Sequence, residues 1–298
     1  MRKIGVIGAG KWGQALAFAF RQNPNNEVYI TSRTPRDIEN FVALEEVLKM
    51  EYIVMAIPAQ QVASWLEEHY VDHGQKVLVV AKGIEASSGR FLNQIFSAYV
   101  KDENIAFLSG PSFAAEVIQG LPCALVVNAE NETTSKAFES FFPDFVRTYS
   151  STDVAGAEVA GAYKNVVAIA AGIVEGLSLG KNASASLISR GLIEMHRFAK
   201  QYGAKDDTFL GLSGAGDLFL TASSTMSRNF RVGLGLAAGK SQAEILEELG
   251  EVAEGIGTAY ALNTIAQERN IYLPIAAEVY AILEGKEPRK SLQDLLVR

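Results

Sequence analysis

Apolar positions come first as a short run, Ile4 to Ile7, which turns through glycines into an alanine-rich apolar segment. That pattern predicts a strand, a tight turn and a helix. Further apolar runs predict strands at Glu27 to Thr31, Tyr52 to Ile57, Lys76 to Ala81, Ile105 to Ser109 and Cys123 to Asn128, with a short seventh near Val146 to Tyr149. Tyr52 to Ile57, stopped by Pro58, shows no alternation, as a parallel strand covered on both faces requires. Helical stretches such as Phe91 to Val100 and Ser135 to Phe142 separate several of these runs. Strands alternating with helices predict a parallel, doubly wound sheet, with ligands met at the carboxyl ends of the strands. That placement favours Lys82 and Gly110-Pro111-Ser112 as ligand-facing residues.

The pattern changes after Ser150-Ser151-Thr152-Asp153, a stretch suited to capping a helix. From Val154 the chain reads as almost wholly helical, with long segments from Val154 to about Glu175 and from Ala183 to Tyr202. Ser227, Ser241, Thr258, Pro274 and Ser291 mark later helix starts. The expected organisation is α/β: a Rossmann-like doubly wound domain over 1–152, then an all-helical domain over 153–298.

The glycines of the first turn carry chemistry. Gly8, Gly10 and Gly13 fill the G-x-G-x-x-G pattern, placed between a predicted strand and a predicted helix. Gly8 permits the sharp turn, Gly10 lets backbone approach a pyrophosphate, and Gly13 lets helix and strand pack closely. The N–H groups that open the helix then meet phosphate charge. Ser32-Arg33-Thr34 follows the second strand, where the partner of the adenine ribose belongs, about 20 residues beyond the glycines. Arg33 suits a ribose 2′-phosphate, which a carboxylate would repel; alternatively it is an exposed arginine at a strand end. NADP(H) is therefore the expected cofactor, with NAD(H) accepted as well.

Composition narrows the partners. Hydrophobic residues are 48% of the 298, enough for a sizeable core. Net charge is −7 with no basic stripe, which argues against nucleic acid and leaves anionic ligands to local cations. The one cysteine, Cys123, cannot close an internal disulfide and is expected to be a buried small hydrophobe in a strand, in keeping with a reducing cytoplasm. Glycines interrupt the apolar stretch behind Met1-Arg2-Lys3, so no signal peptide is expected. No uninterrupted apolar run reaches membrane-spanning length, so no membrane insertion is expected. The three histidines form no H-x-x-x-H or Cys/His cluster, no metal is expected, and no G-x-S-x-G elbow suggests a hydrolase.

In the helical half, Lys164 is a lone charge in a long apolar helix. Desolvation would lower its pKa and fit it for proton transfer near neutrality; alternatively its stem covers apolar surface and its head reaches water. Asn165 adds an amide beside it. Gly211-Leu212-Ser213-Gly214-Ala215-Gly216-Asp217 is a second glycine-rich turn. Asp217 there is either a helix cap or an acceptor for a substrate hydroxyl or for Lys164. Ser227-Arg228-Asn229 opens another helix, with Ser227 able to cap it. Arg228 and Asn229 would meet a phosphate at that terminus, or Arg228 would make a surface salt bridge.

These stretches taken together resemble the bacterial NAD(P)-dependent glycerol-3-phosphate dehydrogenase family. The resemblance lies in Gly8-Ala-Gly-Lys-Trp-Gly13, Ala81-Lys82-Gly83-Ile84-Glu85, Ser109-Gly-Pro-Ser-Phe-Ala114, Tyr163-Lys164-Asn165-Val166, the Thr208-to-Leu218 stretch, Ser227-Arg228-Asn229 and Val252-Ala253-Glu254-Gly255, in order over nearly the whole chain. It implies reduction of dihydroxyacetone phosphate to sn-glycerol 3-phosphate, which supplies glycerophospholipid synthesis, with Lys164 transferring the proton. It implies a substrate site of Lys82, Gly110, Ser112, Lys164, Asn165, Asp217, Thr221, Ser227, Arg228 and Asn229. The cofactor would meet Gly8, Gly10, Lys11, Trp12, Gly13, Arg33, Lys82, Ala114, Arg228, Val252 and Glu254. A homodimer through the helical half is also implied. Lys11 stands where the family more often has Ser, and the segment between the second and third strands is short. Two rivals share parts of this pattern. One is another Rossmann-plus-helical enzyme with a lysine, such as a 3-hydroxyacid or 6-phosphogluconate dehydrogenase or ketopantoate reductase, which lacks the Ser-Arg-Asn and Gly-Asp-Leu stretches as a set. The other is a non-catalytic NADP(H) sensor, for which the cations Lys82, Lys164 and Arg228 have little use.

Overall fold

The computed structural model describes residues 1–297; Arg298, the last residue of the expected second domain, lies outside them. The chain divides into two compact units. One holds 1–81 and 92–157; the other holds 82–91 and the chain from Glu158 onward.

The first unit is built on strands β1 (Arg2–Ile7), β2 (Asn26–Thr31), β3 (Tyr52–Met55), β4 (Lys76–Val79), β5 (Ile105–Ser109), β6 (Cys123–Asn128) and β7 (Val146–Ser151). They form a seven-stranded sheet in the order β2-β1-β3-β4-β5-β6-β7. Helices α1 (Lys11–Arg21), α2 (Leu44–Val47), α3 (Val62–His69), α4 (Leu92–Phe96), α5 (Ala114–Val117) and α6 (Glu132–Glu139) join them. Successive side chains leave a strand on opposite faces, and both faces here are apolar. Ile4, Val6, Val54, Leu78 and Leu108 enter one core with Leu16 and Phe20 of α1. Ile7, Ile53, Met55, Val77 and Phe107 enter the other with Val62 and Leu66 of α3. Burial on both sides explains why the strands read as continuous apolar runs.

The sheet departs from the all-parallel expectation at one place. Strands β1 to β5 are parallel, β6 runs antiparallel to β5, and β7 is parallel to β6. A parallel crossover needs an element that returns the chain along the full strand. The β5–β6 connection contains only the four-residue α5, while the eight-residue α6 returns the chain from β6 to β7. In the short segment between β2 and β3 an isolated bridge pairs Ile30 with Phe41. The expected helix from Phe91 to Val100 is confined to α4. Cys123 opens β6 but is half-buried rather than buried.

The second unit is helical: α7 (Val154–Gly176) from Glu158 on, α8 (Lys181–Ala199), α9 (Asp206–Leu210), α10 (Asp217–Ala222), α11 (Arg228–Ala237), α12 (Gln242–Leu249), α13 (Glu254–Arg269), α14 (Pro274–Leu283) and α15 (Pro288–Val297). Asp153 accepts the Gly156 N–H at 3.0 Å and so caps α7. Tyr163, Val166, Val167 and Ile169 of α7 are buried among Ile188, Met195 and Phe198 of α8, Leu218 of α10 and Val232 of α11. The rule that apolar surface faces inward therefore leaves α7 with little polar face. By length and composition α7 is long and apolar enough to cross a membrane, but Glu158, Lys164 and Asn165 interrupt its apolar run and 94% of its most apolar window is buried inside the protein. Ser227 and Ser241 cap α11 and α12 as expected. Thr258 and Ser291 do not open helices: α13 starts at Glu254, and Pro288 opens α15.

Candidate functional site

The glycine turn leaves β1 at Gly8, whose φ of 111° lies in the region that favours glycine. A Cβ on Gly13 would overlap the Gly8 carbonyl oxygen, whereas one on Gly10 would point into open space. The turn is therefore close-packed where helix meets strand and open where a ligand would approach. Gly10 precedes α1 without a side-chain cap, and no acidic residue occupies the first turn of α1. The opening N–H groups of α1 thus meet no carboxylate from their own turn, which suits a pyrophosphate. Trp12 is half-buried beside this turn, and Lys11 is exposed. Arg33 is exposed just beyond β2, where Ser32 donates to the Thr34 carbonyl at 2.8 Å. Gly110 directly follows β5 with φ 108°, and Ser112 and Ala114 come after it half-buried. These residues of the first unit fit a dinucleotide.

In the second unit the structure joins residues far apart in sequence. The Asp217 carboxylate is shared: Oδ1 accepts from Lys164 Nζ at 2.5 Å, and Oδ2 accepts from Lys82 Nζ at 2.6 Å. Thr221, one turn later on α10, donates its hydroxyl to the Asp217 carbonyl at 2.7 Å and accepts from Lys164 Nζ at 2.9 Å. Asp217 is 1% exposed, so it is no solvent-facing cap, and Lys164 at 7% is not a lysine reaching out to water. Two charges removed from water need excellent geometry to be tolerated, and this cluster supplies it. Burial lowers the Lys164 pKa, with Asp217 opposing and Lys82 adding to the fall, to about 8. Burial alone would raise Asp217, but the ammonium of Lys164, then that of Lys82, outweighs it and holds the carboxyl below its usual value. The result is an ionised carboxylate beside a lysine able to change charge near neutrality.

Asn165 is buried next to Lys164 and donates to the Gly161 carbonyl at 3.3 Å. Ser227 accepts the Phe230 N–H at 3.3 Å, and so acts as a cap. Arg228 is partly exposed and lies 3.5 Å from Glu251. Asn229 is buried, and its Oδ1 accepts the Gly255 N–H at 2.9 Å. Val252 is exposed and Glu254 opens α13. Sequence reasoning missed the links of Glu251 to Arg228 and of Gly255 to Asn229, because both join segments that nothing in the periodicity relates. It also missed a His–Asp pair: His196 and Asp206 meet at 2.7 Å, but with Asp206 exposed and neither residue touching the lysine cluster. Among the described residues no group of three His, Cys, Asp or Glu side chains is arranged to hold a metal.

The chain is similar to known proteins along nearly its whole length. Residues 21–135 match the family model described as the NAD-dependent glycerol-3-phosphate dehydrogenase N-terminus, and residues 153–294 match that of the C-terminus. The glycerol-3-phosphate dehydrogenase [NAD(P)+] of Sulfurimonas denitrificans is 70% identical over 296 residues, covering 99% of both chains. The same-named protein of a Nitratiruptor species is 57% identical, covering 99% of this chain and 98% of its own. A crystal structure of glycerol-3-phosphate dehydrogenase from Coxiella burnetii superposes with a TM-score of 0.91 at 31% identity, covering 100% of this chain and 99% of its own. Two matched family halves and a whole-length relative at this identity are decisive: the chain belongs to the NAD(P)-dependent glycerol-3-phosphate dehydrogenase family.

Proposed function

We infer that this chain interconverts dihydroxyacetone phosphate and sn-glycerol 3-phosphate with NAD(P)(H), and that Lys164 moves the proton. The observation that carries the residue assignment is the buried Lys164–Asp217 contact at 2.5 Å, with the lysine lowered to about 8. The nicotinamide, when bound, supplies or accepts the hydride at C2. As C2 is reduced, negative charge gathers on its carbonyl oxygen. The Lys164 ammonium polarises that oxygen and gives it a proton, leaving a hydroxyl and a neutral amine; in the reverse direction the neutral amine takes the proton. Asp217 and Thr221 aim Nζ, and Asp217 keeps two ammonium groups together at a tolerable cost. Lys82 adds positive charge for the same oxygen.

Arg228 and Asn229 hold the phosphate where the N–H groups of α11 point, with Ser227 completing the terminus. Binding energy from that remote group positions the carbonyl. Asn165, Gly110 and Ser112 complete the substrate contacts. Gly8, Gly10, Lys11, Trp12, Gly13, Arg33 and Ala114 would hold the dinucleotide, joined by Lys82, Arg228, Val252 and Glu254. This divides the labour between a cofactor-binding domain over 1–152 and a substrate-binding domain over 153–298. Arg33 supports a preference for NADP(H) over NAD(H). A homodimer through the helical domain completes the proposal, and sedimentation of the intact protein tests it.

The deciding experiment is initial rates with dihydroxyacetone phosphate and each reduced cofactor in turn, on wild type and Lys164→Ala. The variant is expected to lose on the order of 10²–10⁴ in kcat with little change in KM. No turnover in the wild type, or full turnover in the variant, would sink the assignment.

A further inference from the structure

We propose that Gly255 is a positioning residue for the phosphate end of the substrate: its N–H and its missing side chain hold the Asn229 amide with the NH2 group turned to the ligand. The proposal rests on the reading above in which Asn229 meets the phosphate.

Helix α13 begins after Ala253, which offers no side-chain cap. One of its opening donors, the Gly255 N–H, is instead met by Asn229 Oδ1 at 2.9 Å, a residue of α11. Asn229 therefore caps a helix that is not its own. The chemistry fixes which way the amide lies, since a reversed amide would set NH2 against N–H, donor against donor. With the oxygen taken by Gly255, the donor end is what Asn229 presents to an anion.

The absence of a side chain matters as much as the donor. A Cβ at Gly255 would lie 2.7 Å from Asn229 Oδ1 and 2.8 Å from the Asn165 carbonyl oxygen, closer than real Cβ contacts. The Asn165 carbonyl is backbone in the middle of α7 and has no room to move. Nor can α11 retreat towards α7, because the two helices already meet at glycines: a Cβ on Gly172 would lie 3.0 Å from Gly233 Cα. The strain of any side chain at 255 must therefore fall on the Asn229 amide or on the start of α13. Three helices meet at this point, and two of them carry the expected acid and the expected phosphate contacts.

The test is steady-state kinetics at saturating NADPH on Asn229→Ala, Gly255→Ala, their double variant and Asn229→Asp, with the thermal midpoint of each. Asn229→Ala is expected to raise KM for dihydroxyacetone phosphate about tenfold, the loss of a hydrogen bond to a charged group. Gly255→Ala should raise the same KM by at least about fivefold, leave kcat within about twofold, and cost nothing further when Asn229 is already alanine. Asn229→Asp keeps the oxygen for Gly255 but faces the phosphate with a second oxygen; its KM should exceed that of Asn229→Ala while its thermal midpoint stays near wild type. The thermal midpoint of this variant tests the Gly255 bond even if Gly255→Ala does not fold: a midpoint as low as that of Asn229→Ala would overturn it. Equal KM penalties for Gly255→Ala in both backgrounds, or an unchanged KM in Gly255→Ala, would overturn the role of Gly255, whereas a wild-type KM in Asn229→Asp would remove the phosphate reading. An unchanged KM in Asn229→Ala would instead remove the phosphate reading itself.

Discussion

Lys164 shows how much one residue can disclose and where disclosure stops. A lone lysine in an apolar helix is visible in the sequence. Its counter-charge is 53 positions away and is not, so cap and acceptor remained equal readings of Asp217 until the fold joined them. The pH dependence follows from the lowered pKa. Reduction needs the ammonium, so kcat/KM for dihydroxyacetone phosphate should fall as pH rises through about 8. Oxidation needs the amine, so kcat/KM for glycerol 3-phosphate should rise over the same range. Asp217→Asn deletes the partner that holds the lysine's pKa up and leaves the repulsion from Lys82 in place. The falling limb for reduction should then move to lower pH, and rates across a buffer series would reveal a limb that stays put.

At the scale of elements, what the sequence made legible depended on whether a local pattern decides the matter. The bounds of β5 and β6 follow from apolar runs and match the structure residue for residue. The direction of β6 does not, because period and length are the same for parallel and antiparallel strands, and the deciding fact is the short helix before it. Ser227 and Ser241 could be identified as caps. Thr258 misled because a hydroxyl one turn into a helix, here donating to the Glu254 carbonyl at 2.9 Å, resembles one that precedes it. One element junction was invisible altogether. Buried Glu194 of α8 accepts the Ile275 and Ala276 N–H groups at the start of α14, at 3.0 and 2.9 Å, and the Tyr163 hydroxyl of α7 at 2.7 Å. Removing that carboxylate strands three donors in the core. Glu194→Ala should lower unfolding stability by on the order of 3 kcal/mol, measurable by urea denaturation.

For the molecule as a whole, the α/β-then-helical order was readable because it rests on periodicities summed over many residues. The anion-binding chemistry is local: a chain of net charge −7 draws its phosphate ligands to a few cations rather than to a general field. Arg33 lies in the first unit and the lysine cluster in the second. Arg33→Ala should therefore raise KM for NADPH about tenfold or more, change KM for NADH little, and leave KM for dihydroxyacetone phosphate unaltered. Equal shifts for both cofactors would count against a 2′-phosphate contact.

Lys82 to Phe91 groups with the helical unit although the chain visits it long before that unit begins. Recombination between distant relatives at residue 152 would consequently separate Lys82 from the Asp217 it contacts. Such a chimaera would inherit one parent's strap and the other parent's socket, and a swap that carried residues 82–91 along with the helical half should recover more activity than a single crossover.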